Sequence, residues 1–351
     1  MEHDVRYCTT EDGVSIAYAV TGEGPPLLAC PLFIESFALD HMVPAFEQFM
    51  HALGRNTRLV RFDMRGTGLS DRNVADFSLA GLIRDLDAVV TATGIESIDV
   101  WAPLGSVMRA IGYAAERPQR VRKLVLHEAH ASGSGVFAPE AMTGFAALAR
   151  SDWRAAAHAI AGAGSRWPRE HVRGLHMAGE WNLESTNGEM CARFIEALSK
   201  TSVASLLQRV AAPTLILHAQ RDRLVTTDVA REVAANIANS RLRILDREGL
   251  VFATEDTSRE TIDAVEEFLY ETPRAAEARM VTLGTGARVS VTPRELQVLR
   301  LIVAGKSGRE IADELVLSPR TVERHVAHLF RKTNTHGRAE LVGFAVRRNL
   351  V

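Results

Sequence analysis

The amino-acid sequence predicts a three-layer α/β domain followed by a small all-α domain, and three observations lead to this fold class. Short apolar runs bounded by turn residues alternate with helical patterns up to about residue 130, which is typical of strands joined by crossover helices. The strand pattern stops over residues 131–208, where apolar residues recur at helical spacing, and it resumes at Thr214. Residues 289–351 show helical periodicity alone.

Seven segments have the length and apolar character of strands. They are Val14–Val20, Leu27–Cys30, Arg58–Phe62, Ile98–Ala102, Lys123–Leu126, Thr214–His218 and Arg243–Leu245. The first two are too close in sequence for a crossover helix, so we expect them to pair antiparallel. The helical segment 131–208 interrupts the alternation and is predicted to form a cap. A last helix, Ser258–Tyr270, closes the α/β domain at residue 272.

Residues 273–288 differ in composition from the segments on either side. They mix Ala, Glu, Arg and Gly without a clear period, which is typical of a connecting segment. We therefore expect an α/β domain at 1–272, with its cap at about 131–208, a linker at 273–288 and an all-α domain at 289–351.

Composition narrows the class of protein further. Hydrophobic residues make up 46% and charged residues 24%, as in ordinary globular proteins. The three cysteines lack the spacing of a metal site or a disulfide framework. The apolar runs are shorter than the roughly 18 residues that a membrane span needs. We expect a cytoplasmic protein without a metal, a cofactor or a membrane partner.

The net charge differs between the two predicted domains. The whole chain has a formal charge of -2, which taken alone argues against a nucleic-acid partner. Residues 289–351 carry 11 Lys and Arg against 6 Asp and Glu, a net of +5, which leaves -7 for the remainder. A basic small domain favours a partner such as double-stranded DNA.

Three helix starts are marked in the C-terminal domain. Thr292 and Ser307 are each followed three residues later by a glutamate, the capping-box pattern, and Ser318 precedes a proline. Val316 and Leu317 separate the second helix from the third, a link short enough for a helix-turn-helix.

The third of these helices has two contrasting faces. Its apolar face consists of Val322, Val326, Leu329 and Phe330. Its opposite face is mostly basic and consists of Arg320, Thr321, Arg324, Ala327, His328 and Arg331. Such a helix can enter the major groove, where arginines reach phosphates or guanine edges. The alternative is an ordinary bundle helix with a solvated face.

The whole segment resembles the C-terminal helix-turn-helix of LuxR-type transcription regulators. The resemblance rests on TPRE at the first helix start, EIA in the scaffold helix and TVERHV in the recognition helix, and it covers nearly all of 289–351. It implies binding to double-stranded DNA. The helix Ala339–Arg348 is similar to the family's dimerisation helix, which implies a homodimer that binds two half-sites.

The same resemblance implies roles for individual residues of the recognition helix. It places Glu323, Arg324 and Ala327 toward the bases, and Thr321 and Lys332 nearer the DNA backbone. The family often has lysine where this sequence has Glu323. Because an acid repels phosphate but can accept a hydrogen bond from a cytosine amino group, we expect a different operator preference.

The large domain resembles the α/β-hydrolase superfamily. The segments that carry the resemblance are the opening TEDGVSIAYAVTGEGPPLL, FDMRGTGLSD (62–71), ERPQRVRKLVL (116–126) and APTLILHAQRDRLV (212–225). With the strand pattern and the cap, the resemblance covers about 1–272. It implies a fold whose active members use a nucleophile on a sharp strand-to-helix turn, a histidine base and an acid.

Two of the three triad positions lack that chemistry. The turn after the strand Ile98–Ala102 reads APLGS, and counting back from Pro118 places Leu104 at the nucleophile position. The histidine position, in the segment EGLVF, is occupied by Leu250. A leucine can neither attack an acyl group nor act as a general base. Ser106 lies two residues beyond the nucleophile position, where the family usually has glycine.

The remaining positions predict a binding site rather than a catalytic one. The acid position is Asp222, for which the alternative is a structural role, closing a loop or pairing with Arg221 or Arg223. The oxyanion-loop segment reads CPLF. We expect the apolar side chains to form the floor of a cavity, the alternative being a collapsed cavity filled by core. The expected ligand-contacting residues are Leu32, Phe33, Leu104, Gly105, Asp222 and Leu250.

These features favour a transcription regulator in which an inactive hydrolase-like domain senses a small, mostly apolar ligand. A second hypothesis is an active esterase, hydrolase or lyase with a relocated nucleophile, Ser106, and a base from His127, His130 or His218. At such strand ends, core or loop histidines are the commoner case. A third hypothesis is a constitutive DNA-binding protein whose large domain only dimerises.

Overall fold

The computed structural model describes residues 4–32, 34–164, 172–222, 224–247, 255–270, 279–282, 288–291, 293–315 and 319–347. The chain forms two compact units, Met1–Ile262 and Asp263–Val351. The division falls inside a helix and precedes residue 272, the predicted end of the large domain. No described helix is both long and apolar enough to cross a membrane.

The first unit is built on an eight-stranded sheet in the order β1-β2-β4-β3-β5-β6-β7-β8. The strands are β1 Val5–Thr9, β2 Ser15–Thr21, β3 Pro26–Ala29, β4 Arg58–Phe62, β5 Ile98–Pro103, β6 Val121–His127, β7 Thr214–Ala219 and β8 Ser240–Leu245. The pairs β1-β2 and β2-β4 are antiparallel, and the other pairs are parallel. All seven predicted strands are present, and β1 is the strand that the sequence pattern missed.

The first two predicted strands do not pair with each other, so the expected antiparallel pair was wrong. β2 pairs antiparallel with β4, whereas β3 pairs parallel with β4 and β5, which places β4 between them. The turn from β2 to β3 passes against the segment that precedes β4. A Cβ at Gly22 would lie 2.5 Å from the Thr57 carbonyl oxygen, and one at Gly24 would lie 2.7 Å from that of Asn56. Glycine at both positions allows this close approach.

Helices cover both faces of the sheet. The helices of the chain up to residue 270 are α1 Pro44–Gly54, α2 Leu79–Ala92, α3 Val107–Glu116, α4 Pro139–Ser151, α5 Trp153–Gly164, α6 Val172–Ser185, α7 Gly188–Lys200, α8 Thr227–Asn236 and α9 Glu255–Tyr270. Helix α9 crosses the boundary between the two units. In β5, Val100 belongs to the buried cluster that includes Ile111 of α3, whereas Trp101 contacts Phe49 of α1 with ring centroids 5.4 Å apart. Because successive strand residues point to opposite faces, the predicted three-layer α/β architecture is confirmed.

Helices α4 to α7 lie within the segment 131–208 that was predicted to form a cap. α4 packs against α7, and α5 packs against α6. The Trp181 indole N–H donates to the Ser36 carbonyl oxygen at 3.3 Å, and the Thr186 hydroxyl donates to that of Gly66 at 2.6 Å. These hydrogen bonds fasten the helical segment to loops of the sheet domain.

The segment FDMRGTGLSD, which begins at the end of β4, is held by a buried carboxylate. Asp63 accepts hydrogen bonds from the backbone amides of Phe37 and Leu69 at 2.9 and 2.8 Å, and from the Ser36 hydroxyl at 2.8 Å. Burial raises the pKa of Asp63 to about 6, against the opposing effect of these hydrogen bonds. The motif therefore organises the loop after β4.

Besides the end of α9, the second unit contains a two-stranded ribbon and four helices in its described part. β9 Arg279–Thr282 pairs antiparallel with β10 Arg288–Val291. The helices are α10 Pro293–Val303, α11 Gly308–Leu315, α12 Pro319–Thr333 and α13 Arg338–Arg347. β9 lies inside the segment 273–288 that was predicted to be a linker, so part of that segment is a strand. Four residues are too few to show a reliable strand period.

Candidate functional site

The turn between β5 and α3 has the strained backbone of a nucleophile elbow. β5 ends at Pro103, and α3 begins at Val107. Leu104 between them has a φ of 31°, one of the few non-glycine residues of the described chain with a positive φ. Such a conformation costs about 1–3 kcal/mol and persists where the surroundings impose it. Leu104, which the sequence prediction assigns to the nucleophile position, is half-buried in this turn.

Ser106 is placed poorly for the role of a relocated nucleophile. Its side chain is fully buried in the first turn after the elbow. Its hydroxyl donates a hydrogen bond of 2.7 Å to the carbonyl oxygen of Pro103. The hydroxyl proton that a base would have to remove is therefore already donated in a hydrogen bond to the backbone.

Asp222, at the acid position, closes its own loop. One carboxylate oxygen accepts hydrogen bonds from the backbone amides of Leu224 and Val225, both at 2.8 Å. Arg221, one of the two arginines considered as a partner for Asp222, forms an ion pair with Asp246 at 2.6 Å. The geometry supports the structural alternative for Asp222; Arg223 lies outside the described residues.

The other expected ligand-contacting residues are only partly covered by the structure. Leu32, in the loop after β3, and Gly105, next to Leu104 in the elbow, are both half-buried. Phe33 and Leu250 lie outside the described residues. The proposed leucine at the base position is therefore a prediction from the sequence alone.

A buried polar cluster stands at the carboxyl ends of β6 and β7. Glu128 directly follows β6, has a φ of 57°, and accepts a hydrogen bond from the Ala219 amide at 3.0 Å. Its second carboxylate oxygen lies 2.7 Å from His218 Nδ1. Arg247 lies 2.8 Å from His127 Nε2. Burial, followed by the neighbouring Arg247, holds the pKa of His127 well below its usual value, so this imidazole is neutral.

The sequence pattern pointed to His127, His130 and His218 but not to Glu128, which joins them. His130 is buried, and its Nδ1 lies 3.1 Å from the Glu128 carbonyl oxygen. Burial lowers the pKa of His130 to about 4. Within the described chain, the Nε2 atoms of His130 and His218 are buried without a hydrogen-bond partner. The readable signal for Glu128 was an acid two residues beyond the predicted strand Lys123–Leu126.

The second unit has a core and one of the three predicted helix caps; the other two predicted cap residues, Thr292 and Ser318, lie outside the described residues. The Ser307 amide donates to the Glu310 carboxylate at 2.7 Å, and the Glu310 amide donates to the Ser307 hydroxyl at 3.3 Å. This reciprocal pair is a capping box at the start of α11. On α12, Val322 and Leu329 are fully buried in the core of the unit, and Val326 and Phe330 pack against it.

The opposite face of α12 is exposed where the structure describes its side chains. Glu323, Ala327 and Arg331 are exposed, and His328 is half-buried. Arg320, Thr321 and Arg324 lie on the same helix, but their side chains are outside the described set. This face remains the predicted DNA-reading surface.

Lys332, expected near the DNA backbone, has a partner within the unit. Its ammonium group lies 2.7 Å from a carboxylate oxygen of Glu295, which is 3% exposed. This contact ties the end of α12 to the start of α10. A phosphate contact by Lys332 would compete with a nearly buried acid.

Two family profiles match the chain, one in each of its two units. A family profile described as "alpha/beta hydrolase fold" matches residues 25–253, more than half of the chain. A second, described as "Bacterial regulatory proteins, luxR family", matches residues 289–345. The chain belongs to the α/β hydrolase fold family and carries a luxR-family domain at its C-terminal end.

Curated relatives match the luxR-family domain. A probable transcriptional regulator, ycf29, of Cyanophora paradoxa is 47% identical over 64 residues, 18% of this chain and 30% of that protein. The response regulator Rre1 of Synechocystis sp. is 46% identical over 63 residues, 18% of this chain and 27% of that protein. The chain thus spans less than a third of the length of these relatives.

Solved structures match about three quarters of the chain. A hydrolase from Pseudomonas aeruginosa is 23% identical with a TM-score of 0.65, covering 76% of this chain and 98% of that one. An enol-lactonase from Burkholderia xenovorans is 21% identical with a TM-score of 0.64, covering 76% of this chain and all 100% of that one. At this identity the likeness establishes the fold, and the residues of the site must carry any statement about chemistry.

Proposed function

We propose that the hydrolase-like domain binds a small, mostly apolar ligand without hydrolysing it, and that the ligand controls binding of double-stranded DNA by the C-terminal helices of a homodimer. One observation carries the proposal. Leu104 stands at the tip of a strained elbow that retains its geometry. A fold that keeps the elbow but places an alkyl group there can still shape a binding site.

The neighbouring groups support binding without catalysis. The Ser106 hydroxyl donates to the backbone, and the Asp222 carboxylate accepts two amides of its own loop. Neither arrangement presents an activated nucleophile or a base aligned with one. With Leu250 at the position of the base, the domain has no route to acyl transfer through the positions that the superfamily uses.

The ligand should be apolar with a polar group at one end. Leu104 supplies an apolar surface at the carboxyl edge of the sheet, where ligands of open α/β sheets bind. The buried Nε2 atoms of His130 and His218 belong to the same edge and lack hydrogen-bond partners in the described chain. In neutral His130 the Nδ1–H faces the Glu128 carbonyl oxygen, so Nε2 is an acceptor that a hydroxyl or N–H group of a ligand would satisfy. Because burial lowers the pKa of His130 to about 4, this imidazole is neutral at pH 7 and offers a hydrogen bond rather than a charge.

Control of DNA binding requires that the ligand bind two states of the protein with different affinities. Full-length protein is expected to carry a small molecule detectable by native mass spectrometry. Removing it by unfolding and refolding is expected to change the Kd for an in vitro selected duplex by about fivefold or more, and adding it back should reverse the change. An unchanged Kd would favour the third hypothesis, a constitutive DNA-binding protein.

Arg324→Ala provides the control for the DNA assay. If Arg324 reads a base, this variant should lose roughly 1–3 kcal/mol of binding free energy. The matched variant Arg231→Ala removes an exposed arginine of α8 in the other unit and should bind DNA like the unaltered protein.

The variant Leu104→Ser tests catalytic inactivity. We expect it to show no hydrolysis of a panel of acyl esters above the uncatalysed rate, because a serine without a base remains a poor nucleophile. The unaltered protein and Ser106→Ala are assayed beside it. Robust turnover by Leu104→Ser would show that a base is present elsewhere. Turnover by the unaltered protein that vanishes in Ser106→Ala would establish the relocated nucleophile of the second hypothesis.

A further inference from the structure

Two neighbouring helices of the cap bring three metal-ligating side chains together. His158 belongs to α5, and His176 and Glu180 belong to α6. One ligand atom from each of the three lies within 4.8 Å of the other two. His158 Nε2 is already 3.0 Å from a Glu180 carboxylate oxygen, and the two imidazole rings are nearly parallel with centroids 5.2 Å apart.

The helix geometry explains why these side chains meet. His176 and Glu180 are four residues apart and therefore share one face of α6. Gly179 leaves the room that the His158 ring occupies, since a Cβ at this glycine would lie 2.1 Å from His158 Nδ1. Any larger residue at position 179 would push the imidazole away from Glu180.

Further contacts hold α5 and α6 in this register. The Asn182 side-chain amide donates to the Ala157 carbonyl oxygen at 3.2 Å. The Trp153 indole N–H donates to the Leu183 carbonyl oxygen at 3.3 Å. Both contacts lie before His158 on α5 and after Glu180 on α6, so they join the two helices at one end of the cluster.

Two imidazoles and one carboxylate are a donor set that Zn²⁺ uses with a water in the fourth position. Bonds of about 2.0–2.1 Å at tetrahedral angles separate neighbouring ligand atoms by about 3.4 Å. His158 and Glu180 are near this separation, and rotation of the exposed His176 ring brings the third ligand in.

One cation already contacts this carboxylate. Arg154 lies 2.9 Å from the same Glu180 oxygen that faces His158, but its side chain is 66% exposed. An exposed ion pair of this kind contributes little to stability, so the guanidinium can leave the carboxylate to a metal at small cost.

We propose that His158, His176 and Glu180 bind a divalent transition-metal ion that cross-links α5 and α6. The proposal does not rest on the proposed ligand sensing, because it uses neither the elbow nor the cluster after β6. A metal here would restrict the motion of α5 and α6 relative to each other and leave one coordination position for water.

Tag-free, full-length protein titrated with Zn²⁺ by calorimetry tests this site. We expect one ion per chain, and Co²⁺ should give the visible absorption of a tetrahedral site. His176→Ala and Glu180→Gln should each weaken Zn²⁺ binding by at least about tenfold. The control His51→Ala removes another exposed histidine, on α1, and should bind Zn²⁺ like the unaltered protein. Circular dichroism checks that all variants are folded.

The melting temperature provides a second readout. Zn²⁺ should raise that of the unaltered protein and of His51→Ala, but should leave those of His176→Ala and Glu180→Gln unchanged. Absence of stoichiometric binding would overturn the proposal and leave the three side chains as an ion-pair network with Arg154. Binding that survives in both site variants, or that His51→Ala weakens equally, would overturn it as well.

Discussion

Asp40→Ala is expected to lower the free energy of unfolding of the first unit by about 3–5 kcal/mol, because it leaves a buried cation without its carboxylate. Arg61 and Asp40 form a two-pronged ion pair, and their side chains are 4% and 5% exposed. The guanidinium also lies over the rings of Phe37 and Phe46, at 5.9 and 5.7 Å from the centroids. Water cannot replace the lost acid without opening this part of the core.

Tryptophan fluorescence during urea unfolding measures this effect selectively. All four tryptophans lie within the first unit, so their fluorescence reports that unit and not the helix-turn-helix; they are Trp101, Trp153, Trp167 and Trp181. Asp228→Ala is the matched control, since it removes an 89% exposed partner of Arg231 and should cost less than about 1 kcal/mol.

A double variant separates the buried charge from general damage. Asp40→Ala combined with Arg61→Met should lose less stability than Asp40→Ala alone, because no unpaired cation remains. A loss below about 1 kcal/mol for Asp40→Ala would contradict the importance of this pair. A double variant that loses the sum of both single effects would show that the two residues act independently.

Structural features that depend only on neighbouring residues in the sequence, such as single strands and helix caps, were predicted well. The strand Arg58–Phe62 was predicted with its observed ends, because an apolar run and flanking turn residues define it locally. The capping box of Ser307 and Glu310 and the buried face of α12 also follow from local spacing. Leu104 was located by counting back from Pro118 under the superfamily resemblance; the structure gives this residue a positive φ, and its role stays a prediction.

Features that depend on distant residues could not be read in the same way. Strand β4 lies between β2 and β3 in the sheet, although it follows both in sequence. The short sequence distance between β2 and β3 therefore led to the wrong prediction that these two strands pair with each other. Glu128 becomes notable only when His218 of the neighbouring strand lies beside it. The sequence predicted no metal, since His158 and His176 belong to different helices and become neighbours only when α5 and α6 pack.

Glu35 is a buried acid near the expected ligand site that the sequence did not single out. It follows the oxyanion-loop segment CPLF and is 4% exposed. Burial raises its pKa to about 8, with Arg61 acting in the opposite direction and Asp40 and Asp63 adding to the rise. At neutral pH this side chain is mostly an uncharged carboxylic acid, which suits a site for an apolar ligand better than a carboxylate does.

The sign of the resulting pH dependence follows from proton binding. The pKa of Glu35 rises from 4.5 to about 8 on folding, so between these values the folded state binds more protons than the unfolded state. The free energy of unfolding therefore falls as pH rises through this window, in total by an amount on the order of 5 kcal/mol. Glu35→Gln keeps the shape of the side chain and removes the titration.

The unaltered protein and Glu35→Gln are best compared above about pH 6.5, where the buried histidines no longer change the stability with pH. The lowered pKa values of His127 and His130 destabilise the protein at acidic pH, and that contribution ends near 6.5, the value of an unperturbed histidine. Between about pH 6.5 and 9 the unaltered protein should lose stability on the order of 2 kcal/mol more than Glu35→Gln does. The exposed Glu23→Gln should follow the unaltered protein. If all three proteins lost the same stability between pH 6.5 and 9, Glu35 would be ionised already at neutral pH. That result would contradict an uncharged acid beside the ligand site.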